Sequence, residues 1–249
     1  MSRKLGKKIT GICLVALLLA AACWPSYTQA VKPEKGALFQ VSTLGSLFRW
    51  VFDGAITCGE LKQRGDFGIG TFDGLDGEMV VLDGEVFQVK GDGAVLPADD
   101  KLSTPFAAVT YFAADQKFTL ENIASIEELQ QNIEPMFPSR NIFYAIRIDG
   151  TFSYVKTRSV PKQEKPYRPV AQNIFEAHDL KGTLVGFWCP GYAKGINAPG
   201  FHFHFISDDR KMGGHLHDCL LVKGTAQIQY ISKFELMLPA TEAFREATL

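Results

Sequence analysis

Cysteine is scarce in this chain, and charge of one sign is not in excess. Of five cysteines in 249 residues, Cys13 and Cys23 fall in an N-terminal segment set apart below, leaving Cys58, Cys189 and Cys219. Three thiols form at most one bridge, which excludes a disulfide framework and leaves stability to the core. A formal net charge of −1 excludes the basic field of a nucleic-acid binder. No apolar run reaches the roughly 20 residues of a stable membrane span, and no internal repeat or low-complexity tract is present. What remains is globular composition, 46% hydrophobic and 21% charged, sized for one domain or two small ones sharing a core.

The first 30 residues read as an export signal. Arg3, Lys4, Lys7 and Lys8 form a basic start, Ile12 to Ala22 an apolar run, and Thr28-Gln29-Ala30 supplies the small residues a signal peptidase accepts. Ala20-Ala21-Ala22-Cys23 loosely resembles a lipoprotein box but lacks the leucine three residues before the cysteine. A freed, exported protein of residues 31–249 is therefore favoured over a lipid anchor at Cys23. Cleavage after Ala30 removes four basic and no acidic side chains, moving the net charge from −1 to −5.

Periodicity in the mature chain is mostly that of strands. Leu44, Leu47, Phe48 and Val51 predict one amphipathic helix, capped by Thr43 and stopped at Asp53-Gly54. Ser125 to Glu128 predicts a capping box opening a second helix through Ile133. Alternation predicts strands at 67–72, 78–82, 85–90 and 107–112, with Asp83-Gly84 as a hairpin turn. Phe143–Ile148 and Thr151–Val160 read as another hairpin about Asp149-Gly150, followed by a proline-rich crossing loop at 161–169. Further strands are expected at 183–188, 201–207, 215–222 and 226–236. The class is α+β: strand-dominated mixed and antiparallel sheets with a few packed helices.

The segment richest in chemistry is Phe201-His202-Phe203-His204-Phe205, separated by a polar turn from His215-Leu216-His217. Strand side chains alternate faces, so His202 and His204 share one face and the phenylalanines pack the other. An antiparallel register pairing His204 with His215 also pairs His202 with His217, bringing up to four imidazoles together. A lone histidine is ordinarily a polar surface residue, as His178 reads here; two matched H-x-H runs on one hairpin point to a metal. Neutral imidazole suits zinc, and catalytic zinc uses three protein ligands plus an open position. Cys219 and Cys189 could lie near, but such thiols are more often packed. The pattern specifies metal rather than reaction: cupins also use H-x-H followed by an acid, and Asp208 falls near that place.

Beyond the hairpin the chain resembles the bacterial acetolactate decarboxylase family over residues 38–249. Three blocks carry the resemblance in order: Gly65 to Phe72 with Leu75 to Glu78, Thr157 to Pro161 with Gln163 to Tyr167, and Pro199 to Ile206 through Gly213-Gly214-His215. The resemblance implies zinc held by His202, His204 and His215, and active-site roles for Thr71, Glu78 and Arg158. It also implies an α/β arrangement of two sheet subdomains, with a boundary placed near 140–180, and a homodimer. The implied reaction is decarboxylation of 2-acetolactate to acetoin, the metal chelating hydroxyl and keto oxygens and stabilising an enediolate. Arg158 would hold the carboxylate, Glu78 would manage a proton, and Thr71 would hydrogen-bond substrate or a neighbouring ligand. Read alone, Glu78 is a turn-flanking acid, Arg158 shares a solvated face with Lys156, and Thr71 is an ordinary strand residue. His217 is expected to orient a ligand rather than bind metal.

One departure stands out. Family members carry a further active-site glutamate in a tail beyond the equivalent of Phe244 to Leu249, and neither Glu242 nor Glu246 matches its position. Two readings therefore remain beside decarboxylation: a cupin-like metal oxygenase or isomerase, and an exported zinc-binding protein inactive through loss of that tail.

Overall fold

The computed structural model describes residues 35–168 and 171–249, so the export signal and Cys23 lie outside the described residues. In chain order the strands are β1 (Ala37–Val41), β2 (Ile56–Thr57), β3 (Phe67–Thr71), β4 (Glu78–Leu82), β5 (Glu85–Val89), β6 (Val95–Pro97) and β7 (Ser103–Thr104). They continue with β8 (Ala107–Thr110), β9 (Gln116–Ile123), β10 (Phe143–Ser159), β11 (Asn173–Cys189), β12 (Gly200–Ser207), β13 (Gly213–Ile231) and β14 (Lys233–Met237). The helices are short: α1 (Leu44–Leu47), α2 (Cys58–Leu61), α3 (Ile126–Ile133) and α4 (Glu242–Glu246).

Seven strands form a first sheet in the order β14-β1-β8-β3-β4-β5-β6, mixed because β1 runs parallel to β14. A second, antiparallel sheet has the order β10-β11-β12-β13-β9, and β10 also pairs with β13. That extra ladder joins β10, β11, β12 and β13 into a closed circuit. The small pair β2–β7 completes the sheets. The chain passes from the first sheet to the second between Thr110 and Gln116, upstream of the 140–180 interval expected from sequence, and returns with β14.

Alternation along the strands sorts the core into three clusters. Met79 and Val81 of β4 join Phe39, Val41 and the α2 residues Cys58 and Leu61 on the outer face of the first sheet. Val80 and Leu82 point the other way and pack with Phe143, Val185, Phe187 and Ile206 of the second sheet. Inside the closed circuit, Tyr144, Ile146, Phe152, Phe203 and Phe205 gather with Leu129 and Ile133 of α3. The functional consequence is one of parity: Glu78 shares the side of Val80, and Thr71 the side of Ile69. Both are buried and face the second sheet.

The Asp83-Gly84 hairpin forms as expected, with both residues at positive φ of 53° and 82°. Asp149-Gly150 does not turn. β10 runs through it as one 17-residue strand, and Gly150 pairs with Gly182 on one side and Gly224 on the other. A β-carbon on Gly150 would sit 2.8 Å from the Lys223 carbonyl, and one on Gly182 would sit 2.6 Å from that of Ile206. The glycines thus serve close strand packing. Asp149 is held by Arg147, Thr183 and Gln227 rather than by a turn. The strand expected at 215–222 and the first part of that expected at 226–236 form the continuous β13, while residues 233–236 belong to β14 of the first sheet.

The expected helix after Thr43 is capped as foreseen but lasts only four residues. Trp50 adopts a positive φ of 61°, and Phe48 and Trp50 are 74% and 49% exposed. The apolar stripe therefore never packs as a helix face. At α3, Ser125 accepts from the Glu128 amide, but Glu128 accepts from Ala124 rather than Ser125. The full capping box lies instead at Thr57–Glu60 on α2.

Candidate active site

The site lies where polar residues interrupt the apolar seam between the two main sheets. β12 and β13 pair antiparallel with His204 opposite His215. Phe203 and Phe205 point into the closed circuit, so His202 and His204 face the first sheet. The expected His202–His217 pair does not form: the β12–β13 ladder ends at His204–His215, and His217 is exposed. Three imidazoles therefore converge, each offering a nitrogen within 4.8 Å of the others. Neither Cys189 nor Cys219 joins them. Both are buried in the core, which pushes their thiols up to about 12. Asp208, the acid that follows the H-x-H run, is exposed in the turn beyond β12 and stands outside the cluster.

The first sheet supplies the rest. The Met79 carbonyl accepts from His204 Nδ1 at 2.8 Å. A carbonyl only accepts, so Nδ1 carries the proton and Nε2 keeps its lone pair for a metal. His204 Nε2 lies 3.4 Å from Glu78 Oε2. The other oxygen of Glu78 accepts from Arg158 Nη1 in a close ion pair that joins β4 to β10. Thr71 stands opposite Glu78 across the β3–β4 ladder, and its hydroxyl donates to the Gly77 carbonyl at 2.6 Å. Its donor thus secures the turn leading into Glu78. Arg158 in turn pairs with His215 in the β10–β13 ladder. Thr71, Glu78, Arg158, His202, His204 and His215 all line one cavity of about 290 Å³. Its mouth includes Leu44, Leu47, Phe48, Trp50 and Arg168, residues that sequence periodicity assigned to a packed helix or left in a loop.

Burial decides the charge state of these groups. It lowers His202 to about 4, helped by the Arg158 charge. His204 and His215 are held well below the ordinary histidine value by burial and then by neighbouring histidine and Arg158 charges. Burial pushes the Glu78 carboxyl up, opposed by Arg158. All three imidazoles are thus neutral near pH 7, the form that binds metal. One feature fits an ion: His202 Nε2 lies 3.1 Å from His215 Nδ1, near the roughly 3.3 Å separating two tetrahedral nitrogen ligands at about 2.0–2.1 Å.

The same shifts set an expected pH dependence for metal-free protein. Below pH 6.5 the unfolded chain takes up protons that the folded imidazoles refuse, so stability present above that pH is lost as pH falls toward 4. Each histidine contributes at most about 1.4 kcal/mol per pH unit. The urea midpoint of chelator-treated protein should drop clearly between pH 7 and pH 5. An unchanged midpoint would show these rings to be solvated.

Fold and site together define a class: a β-sheet protein with three neutral imidazoles able to hold a metal ion beside a buried carboxylate–guanidinium pair. Comparison with known proteins narrows it. The alpha-acetolactate decarboxylase family model matches residues 38–249, and the chain belongs to that family; it is a carboxy-lyase. It is 50% identical over 217 residues to the alpha-acetolactate decarboxylase of Methanosarcina mazei, covering 85% of this chain and 75% of that one. The crystal structure of alpha-acetolactate decarboxylase from Bacillus subtilis strain 168 superposes with a TM-score of 0.83 at 42% identity, over 85% of this chain and 93% of that one. A Staphylococcus aureus structure described as similar to alpha-acetolactate decarboxylase gives 0.81 at 31% identity, over 86% and 94%. Among the described residues, no helix is long and apolar enough to cross a membrane.

Proposed function

We propose that this protein removes CO₂ from 2-acetolactate to give acetoin, with zinc held by His202, His204 and His215. The observation that carries this reading is the convergence of three neutral imidazoles with the Glu78–Arg158 pair in one cavity, in a chain of this family. When bound, zinc supplies Lewis acidity, opposing the charge that develops on the keto oxygen as the carboxyl carbon departs.

The chain's own groups do the rest. Arg158 has five N–H donors and only Nη1 is committed to Glu78, so its remaining donors can orient the substrate carboxylate. Glu78 is buried at 6% exposure with one oxygen held by Arg158. Its other oxygen can carry the proton that replaces CO₂ on carbon. Burial holds that carboxyl nearer neutral pH than a surface glutamate, where such proton transfer works best. Thr71 fixes the entry to Glu78 through Gly77. Leu75, Phe106 and Val160 line the same cavity and exclude water from the reacting carbon.

The test is an acetoin assay on purified protein with metal analysis. One zinc per chain and equal yields of CO₂ and acetoin are expected. Chelation should lower turnover at least about 10³-fold, and added zinc should restore it. Turnover that persists in metal-free protein would remove zinc from the reaction.

A further inference from the structure

Among the cavity's own side chains the charges do not balance, and the excess lies on Arg168. Its charged lining consists of Glu78, Arg158 and Arg168. Glu78 and Arg158 neutralise each other. Arg168 is exposed and makes no ion pair among the described residues.

Its position is built. The loop after β10 is tied to the first sheet by the Gln163 amide, which donates to the Gly74 carbonyl at 2.6 Å. Lys165 Nζ pairs with Asp53 at 2.6 Å, and the Tyr167 ring packs on Phe52 with centroids 4.9 Å apart. Phe52 also lines the cavity, so Tyr167 is anchored at its wall and delivers the next residue, Arg168, to the entrance. Leu47, Phe48 and Trp50 line the same cavity, and Phe48 and Trp50 are exposed, as Arg168 is. An exposed cation in the lining adds to the attraction that a metal ion on the three imidazoles would exert on an anion, and gives a neutral molecule little to bind.

We infer that Arg168 is a specificity-determining residue that captures the carboxylate of the entering 2-hydroxy-3-keto acid and thereby separates anionic substrate from uncharged product. This rests on the decarboxylase reading for the identity of the substrate, but not for the chemistry of capture. The substrate loses its charge as CO₂ departs, so the product no longer has a group for Arg168 to hold. The side chain is long and exposed, so it contributes to encounter and loose binding more than to the chemical step.

The test uses metal-loaded protein and the variants Arg168→Gln and Arg168→Lys. Kinetics with 2-acetolactate at low and high salt are combined with calorimetric binding of 2-hydroxy-2-methylbutanoate and of uncharged butane-2,3-diol. Arg168→Gln should raise KM about fivefold with a smaller change in kcat, and should flatten the salt dependence of kcat/KM. It should weaken the anion about fivefold while leaving diol binding nearly unchanged, and Arg168→Lys should recover most of the difference. Equal weakening of anion and diol, or a salt dependence identical to wild type, would overturn the inference. Wild-type protein that binds the anion without turning over acetolactate would defeat the decarboxylase reading, and the anion–diol comparison would still decide the role of Arg168.

Discussion

His204→Ala should abolish both metal binding and turnover. The residue is 1% exposed, and the Met79 carbonyl holds Nδ1, leaving Nε2 free for a metal beside the other two imidazoles. Alanine removes one of three proposed ligands from a site with no spare histidine, because His217 stands exposed outside the cluster. Zinc per chain should fall close to zero by atomic emission, and kcat/KM should drop at least about 10³-fold, the equivalent of about 4 kcal/mol of lost transition-state stabilisation. His217→Ala is the matched control and should retain one zinc per chain. Retention of metal by His204→Ala, or its loss in His217→Ala, would mean that the ligand set is wrong.

Glu78→Gln should cost about 10²–10⁴-fold in kcat while metal content stays at the wild-type level. The amide keeps the shape and a carbonyl oxygen for Arg158, but it cannot take up or release the proton. Arg158→Ala makes the instructive contrast. It leaves the Glu78 carboxylate buried without its partner, a change that costs about 3–5 kcal/mol of stability for a buried pair. Because the Arg158 side chain is 21% exposed against 8% for Glu78, the lower end of that range is expected. Thermal melts therefore separate the two variants: Glu78→Gln acts mainly on kcat, Arg158→Ala on both kcat and melting temperature. A Glu78→Gln enzyme with wild-type kcat would take the proton role away from this residue.

Local chemistry explains why part of the site can be read from residues alone. The H-x-H spacing puts two imidazoles on one strand face wherever that strand lies, and the polar turn from Ser207 to Met212 fixes which residue stands opposite His204. The Asp83-Gly84 turn has only one economical geometry, so the β4–β5 hairpin follows from it. The errors have an equally local cause. Asp149-Gly150 carries the same two residues, yet there glycine is required by strands pressing from both sides, and those strands lie more than 30 residues away. The stripe from Leu44 to Val51 has helical spacing, but the chain leaves the helix after one turn and places Leu47 and Trp50 at the cavity mouth.

The sequence by itself determined the strand-rich class and the face shared by His202 and His204, since both depend on alternation; the register setting His204 against His215 was one it offered and the structure adopts. Only the tertiary structure decided that Glu78 and Arg158, 80 residues apart, would meet, that His217 would stand outside the cluster, and that burial would keep three histidines uncharged. The first and third outcomes depend on how the two main sheets lie against each other, and the second on where the β12–β13 ladder ends. The packing that joins the sheets is apolar, and apolar contact has no direction by which the residues alone could announce their partners.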